Sequence, residues 1–318
     1  MFNPTKLLKL RDPEIRAKNI LALKRALRGY WWDITKPKMP DPVFLVGCSR
    51  SGTTITYETL AAAPNFLSFG YEILQFWDSL YGPHTNDWAS EAATARDADP
   101  KHREATFRFF YQRLGVGQVL DKTCINVMRI PYLIELFPDA KFVFIHRDGR
   151  DNISSMIDGW RQSRKDGRFG LTQYLGPSPE PVAINDGEFT EWCFFLPPGW
   201  REYNSARLED VCAFQWISAN HLALEGKKVV PPDQWIQVKY EDMVADPIRV
   251  FGDIFTRLGV PFDDKLKQLA SDLDRRPTSI VNGPPQKQKW KKKNPKAIER
   301  IIDVIQPMMI KLGYDIND

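Results

Sequence analysis

The chain is poor in cysteine, and what it has is dispersed. Cys48, Cys124, Cys193 and Cys212 show no metal-ligand spacing. They read as free thiols in a reducing compartment, which speaks against a zinc site or a disulfide framework. No apolar run approaches the roughly 20 residues that a membrane span needs. Charges interrupt Met1 to Arg28 too often for a signal-peptide core. The expectation is a cytoplasmic protein. Charge of one sign is also scarce in excess. A net charge of +4 over 318 residues favours anionic ligands without marking a nucleic-acid binder. No internal repeat is visible. A composition that is 43% hydrophobic supports a large core.

The most informative stretch lacks a residue as well. In Pro42-Val43-Phe44-Leu45-Val46-Gly47-Cys48-Ser49-Arg50-Ser51-Gly52-Thr53-Thr54, an apolar run ends at a glycine and helix-compatible residues follow a small-residue loop. That is a strand, an anion-cradling loop and a helix N-terminus, whose backbone N–H groups bind phosphate oxygens. Gly47 and Gly52 have the spacing of a Walker A loop, yet Thr53 stands where the lysine belongs. The cation sits within the loop, at Arg50. Such a loop suits phosphate but lacks the clamp for the β- and γ-phosphates of a nucleoside triphosphate. An ordinary βα turn would not need Arg50, Ser51, Thr53 and Thr54 together.

Along the chain, residues 1–40 read as a basic, helical N-terminal arm, with Leu7, Leu8, Leu10, Ile15, Ile20, Leu21, Leu23 and Leu27 at loosely helical spacing before Tyr30-Trp31-Trp32. The arm is either a helix packed on the following domain, the preferred reading, or an interfacial helix with peripheral membrane contact. A proline-rich stop follows at 36–42. Residues 41–318 then form the main domain. Strands are expected at 43–47, 119–123, 141–146 and 235–239. Helices are expected at about 52–62, 72–80, 101–114, 126–137, 149–163, 205–226, 247–258, 263–273 and 295–311. Residues 65–70 read as a short crossing segment and 82–100 as a polar loop. The segment 164–204 is rich in Gly, Pro and aromatics, too long for an ordinary loop and too aromatic for disorder. Alternating strands and helices imply an α/β, P-loop-like three-layer fold with a mostly parallel sheet flanked by helices. Ligands in such folds bind at the carboxyl ends of the strands, where every motif here falls.

A second constellation follows the strand at 141–146. His146-Arg147-Asp148-Gly149-Arg150-Asp151 leads into a helix bearing Ser154 and Ser155. A guanidinium at Arg147 and the Ser155 hydroxyl can grip one terminal phosphate from two sides. Asp148 and Arg150 read as a cap and its ion-pair partner. His146 reads as a structural residue of the strand end.

These motifs carry a resemblance to sulfotransferases that use 3′-phosphoadenosine 5′-phosphosulfate (PAPS). The loop at 49–54 resembles that family's 5′-phosphosulfate loop, and Arg147 with Ser155 resembles its 3′-phosphate site. Arg147-Asp148-Gly149-Arg150 is especially similar to the tyrosylprotein and bacterial branches. Lys239-Tyr240-Glu241-Asp242-Met243 is similar to a segment whose tyrosine lies near adenine, and Lys289-Trp290 resembles the basic-aromatic element that closes over the cofactor. The similarity runs over about 42–295.

The resemblance implies transfer of a sulfuryl group from PAPS to an acceptor hydroxyl, by positioning and electrostatic stabilisation, with no metal required. Arg50 and the loop amides would hold the 5′-phosphate. In the cytosolic branch a histidine of a Lys-Thr-His segment is the base; the matching positions here are Lys122, Thr123 and Cys124. Other branches use a glutamate about twenty residues after the loop cation, a place held here by Glu72. Among Phe69, Tyr71, Phe76 and Trp77 its carboxylate would be desolvated and more basic. Glu58 and Asp121 are the alternatives. Lys122 would be the second catalytic cation, and one or two lysines of Lys287, Lys289 and Lys291 to Lys293 would contact phosphate. The acceptor is expected to be a small metabolite, carbohydrate or lipid, not nucleic acid, in a pocket lined by 73–100 and 164–204. Two other readings stay open on sequence: a magnesium-dependent P-loop small-molecule kinase, and a non-catalytic nucleotide-binding relative.

Overall fold

In the computed structural model, residues 12–273, 275 and 288–315 are described; the expectations for Leu7, Leu8, Leu10 and Lys287 lie outside them. Five strands are present among the described residues: β1 (Val43–Val46), β2 (Phe66–Leu67), β3 (Gln118–Asp121), β4 (Lys141–His146) and β5 (Trp235–Lys239). All pair in parallel, in the order β2-β3-β1-β4-β5. The crossing segment at 65–70 therefore contains an edge strand that the sequence reading left out. β1 lies at the centre, with Val43 opposite Lys141 and Val46 opposite Phe144.

Strand alternation divides the core. Phe44, Val46, Phe142 and Phe144 face one side of the sheet, and Val43, Leu45, Val143 and Ile145 the other. Both faces are apolar because helices cover both, as a parallel sheet requires. The main helices are α1 (Pro13–Thr35), α2 (Thr53–Leu60), α3 (Leu74–Leu80), α4 (Pro100–Leu114), α5 (Ile130–Leu136), α6 (Gly149–Asp166), α7 (Leu208–Lys227), α8 (Pro247–Leu258), α9 (Asp264–Ser271) and α10 (Pro295–Lys311). Helices α6, α7 and α10 share the first core, and α2, α8 and α9 the second.

Local chemistry sets the boundaries. Asp99 precedes Pro100 and accepts from the Lys101 N–H, and Asp148 caps α6 by accepting from the Arg150 N–H. Gly167 ends α6 in the left-handed region at φ 69°. The helix expected over 126–137 is instead a 3₁₀ turn, Cys124–Met128, followed by α5, because Pro131 restarts the chain at a helix N-terminus. Segment 164–204 is ordered by packing rather than by long elements. Trp160 meets Phe189 and Trp192 edge-on, Trp192 meets Trp200, and Gly170 bridges Cys193.

Helix α1 packs one face on α4 through Gly29 and Trp32, the latter 5.7 Å from the Tyr111 ring. Its opposite face leaves Ile20, Leu23, Leu27, Tyr30 and Ile34 exposed.

Gly47 shows how tightly the loop is seated. A Cβ there would lie 2.4 Å from the Ile145 carbonyl oxygen on β4. Gly47→Ala is expected to lower stability by about 1–3 kcal/mol, the cost of overpacking against backbone that cannot yield. Urea unfolding midpoints of the two proteins measure it.

Candidate active site

A cavity of about 1140 Å³ opens at the carboxyl ends of β1, β3, β4 and β5. One end is cationic. The loop after β1 turns Arg50 into the left-handed region at φ 71°, and Gly52 follows at φ 102°. Only glycine fits at 52: a Cβ would strike the Tyr240 ring at 2.4 Å. Gly52 stands at the N-cap of α2 and no side chain caps that helix. Its first-turn N–H groups, at Thr53 and Thr54, stay available where both residues line the cavity.

Arg147, at the end of β4, meets this loop from the other side. Its Nη1 donates to the Arg50 carbonyl at 3.3 Å, and its guanidinium lies 4.6 Å over the Tyr240 ring. Ser155 is one step away, its hydroxyl accepting from Arg50 Nε at 3.3 Å. The pairing expected between Arg147 and Ser155 is thus a three-residue group that includes Arg50. Asp151 accepts from the backbone N–H groups of Gln288 and Trp290, and so brings the Lys289 side chain to the cavity.

Compensation of the cations at this end is partial: Asp151 Oδ2 lies 3.9 Å from Arg147 Nη2. Burial, with the neighbouring Arg147, lowers Arg50 to about 10, and Asp158 does not offset them. Burial and Arg147 also lower Lys289, despite Asp151. Arg147 Nε is buried and has no hydrogen-bond partner. An orphaned buried donor among depressed cations fits a multiply charged anion, and the residues present therefore suit a bisphosphorylated nucleotide.

The other end holds Glu72 and Lys122. Lys122 Nζ donates to Glu72 Oε1 at 2.7 Å, and the Cys124 backbone N–H donates to Oε2 at 3.1 Å. Burial works to lower Lys122, but the carboxylate outweighs it and holds the ammonium above its ordinary value. The expected apolar burial of Glu72 is corrected: its side chain is 26% exposed and meets a cation and an N–H. Phe69 and Phe76 turn instead into an aromatic stack with Phe109. The Cys124 thiol is pushed well up by burial and by Glu72, so it stays protonated. Asp121 is buried, accepts from Trp77, Thr123 and Asn126, and is raised by that burial to about 6. It does not line the cavity, and neither does Glu58.

Of the site residues expected from sequence, two stand apart. Ser51 is buried beneath the loop, its Oγ toward Gly47 rather than toward the cavity. Trp290 packs against the core, 6.0 Å from the Arg150 guanidinium. Arg50, Gly52, Thr53, Thr54, Glu72, Lys122, Arg147, Ser155, Tyr240 and Lys289 all line one cavity. From the long segments, Ile73 to Phe76, Ser79, Arg168, Phe169, Leu171, Tyr174 and Phe194 join them, but nothing from 82–100 does. Phe109 and Arg113 on α4 were not foreseen; their i, i+4 spacing beside the core-facing Phe107 and Phe110 was the available signal.

A network behind Arg147 fixes the strand tip. Glu241 accepts from the Asp148 N–H at 3.0 Å and from the Tyr314 hydroxyl at 2.9 Å. That hydroxyl in turn accepts from His146 Nδ1 at 3.0 Å, and Gln237 lies 3.1 Å from His146 Nε2.

The sequence model of the sulfotransferase family matches residues 42–176 and 187–264. The chain belongs to that family. It is 26% identical over 296 residues to protein-tyrosine sulfotransferase A of Caenorhabditis elegans, covering 86% of this chain and 67% of that protein. It is 25% identical over 298 residues to protein-tyrosine sulfotransferase 1 of Danio rerio, covering 86% and 72%. A crystal structure of a sulfotransferase from Mycobacterium avium superposes with a TM-score of 0.59 at 11% identity, covering 92% of this chain and 82% of the other, which shows the shared fold.

His146 supplies a test of the tip network. Its ring is neutral in the fold, since burial and the nearby Lys239 and Lys227 lower it from 6.5 to about 4. The stability it confers is complete above pH 6.5 and is lost as pH falls through about 4. Wild type is expected to lose about 2–3 kcal/mol more than His146→Gln across that window, read from denaturant midpoints at each pH.

Proposed function

We propose that the chain transfers a sulfuryl group from PAPS to an acceptor hydroxyl, with Glu72 as general base. One observation carries this: a single cavity has a cationic cradle, only partly offset by Asp151, at one end and a carboxylate–lysine pair at the other. Bound in the cradle, PAPS supplies the activated sulfuryl group.

Arg50, Arg147 and Lys289 hold the phosphates of the nucleotide, with the N–H groups at the start of α2. Tyr240 presents the ring against which Arg147 already lies, a flat wall for adenine. Lys122 reaches the cavity from the end of β3 and stays protonated through neutral pH. It draws off negative charge at the reacting centre. Glu72 takes the acceptor proton. Each of its oxygens keeps a free lone pair after accepting from Lys122 or Cys124, so it is oriented and still basic. The aromatic wall beyond Glu72 suits the body of a phenol or other apolar alcohol. The names of the matched relatives, whose acceptor is a protein tyrosine, favour an aryl hydroxyl among these.

Calorimetry with 3′-phosphoadenosine 5′-phosphate tests the cradle. Wild type is expected to bind it, and Arg147→Met to bind at least ~10-fold more weakly, as loss of a charge-assisted hydrogen bond implies. Glu72→Gln is expected to keep that affinity and to lose ~10²-fold or more in turnover, the contribution of a positioned base. Absence of nucleotide binding by folded wild type would overturn the assignment, and normal turnover by Glu72→Gln would remove Glu72 as the base. Transfer that proceeds in EDTA distinguishes this chemistry from a magnesium-dependent kinase.

A further inference from the structure

The α4 wall of the cavity carries a cation that the proposed reaction does not use. Phe76 on α3 stacks on Phe109 of α4 at 3.9 Å and 21°, and the Arg113 guanidinium lies 3.7 Å over the Phe109 face. Phe76, Phe109 and Arg113 all line the cavity. The stack adjoins the base directly, since Glu72 is followed within four residues by Phe76, and Phe69 lies 5.5 Å from Phe109.

Among the described residues, no carboxylate lies within ion-pair distance of Arg113. Its surroundings are more positive still. Arg28 on α1 donates from Nη1 to the Arg113 carbonyl at 3.1 Å. Burial lowers Arg113 and the charge of Arg25 lowers it further, with Tyr71 opposing them. Among the described residues no side chain or carbonyl accepts a hydrogen bond from this guanidinium, so its edge donors are kept for a ligand. The group is partly exposed where it lines the cavity wall, within reach of a ligand there.

We propose that Arg113 is a specificity-determining residue that binds an anionic group of the acceptor, so that the acceptor is a small amphiphile with an apolar or aromatic body, a hydroxyl and a carboxylate-like or sulfonate-like charge. The inference rests on the transferase reading for which end of the cavity is the acceptor end. The position of the cation argues for a small molecule, because it lies inside the cavity beside the ring stack. The anion would take the guanidinium edge, the apolar body the Phe76–Phe109 wall, and the hydroxyl would point back to Glu72. A neutral acceptor of the same shape would leave the guanidinium facing apolar surface, and would bind less well.

Two fluorescent probes of nearly the same shape test this: anilinonaphthalene sulfonate, which is anionic, and phenylnaphthylamine, which is neutral. Each is titrated into wild type and Arg113→Met, with and without saturating 3′-phosphoadenosine 5′-phosphate. The methionine keeps an apolar stem over Phe109. The anionic probe is expected to lose ~10-fold in affinity in the variant, while the neutral probe stays within about twofold. Arg113→Lys is expected to recover part of the loss. Equal loss for both probes would show that Arg113 only packs, and would overturn the proposal; so would an unchanged anionic affinity, or no binding of the anionic probe to wild type. Failure of the nucleotide to bind, with the probe contrast intact, would sink the transferase reading and leave the anion site standing.

Discussion

The bond from Arg147 to the Arg50 carbonyl is the contact on which the site depends. It ties the tip of β4 to the loop after β1, and the Tyr240 ring at the end of β5 lies beneath the same guanidinium. Three strand ends are thereby held in one geometry. The arrangement is electrostatically costly without a ligand, because Arg50 and Arg147 are both drawn out of water with like charge and Asp151 reaches Arg147 only at 3.9 Å. Backbone and packing hold what charge repulsion would separate. Arg50 is fixed by its left-handed turn between Gly47 and Gly52, and Arg147 by the Glu241–Tyr314–His146 network behind it. Such a cradle is organised before the anion arrives, and the anion relieves the repulsion when it binds.

The opposite wall is braced differently. Arg129 is fully buried, donates to the Glu91 carbonyl at 2.7 Å and to Asp78 at 2.9 Å, while the Glu91 carboxylate accepts from the Leu196 N–H. Burial and the adjacent Asp78 raise Glu91 well above its ordinary value. This cluster links α3, the segment before α4 and the aromatic segment around 196. It fixes α3, which carries Phe76, without contributing a residue to the cavity itself. Buried charges of this kind are a poor source of stability but a strict constraint on geometry, since any slip leaves one of them unpaired.

Much of this was legible in the sequence because the site residues follow strands. Arg50, Lys122 and Arg147 each stand just past an apolar run, and strand ends in a parallel sheet converge. Glu72 was found by its distance from the loop rather than by any strand, since β2 is only Phe66–Leu67, too short for a period to show. What sequence does not carry is direction. Ser51 and Trp290 stand at the expected positions, but one hydroxyl turns under the loop and one indole turns to the core. Contacts between distant segments were equally hidden: Glu241 with Tyr314, Asp151 with the turn at 288–290, and the stack of Phe76 on Phe109. Each joins residues whose local patterns are unremarkable and whose partners only the folded topology supplies.

The sheet order separates two kinds of duty. The cations of the cradle come from the centre of the sheet and its β4–β5 side, whereas Glu72, Lys122 and the ring stack belong to the β2–β3 side. The hydrogen bonds of Arg50 and Arg147 and those of Glu72 and Lys122 share no residue. In a scaffold divided in this way, the margin of the sheet can be rebuilt while the central cradle keeps its own supports.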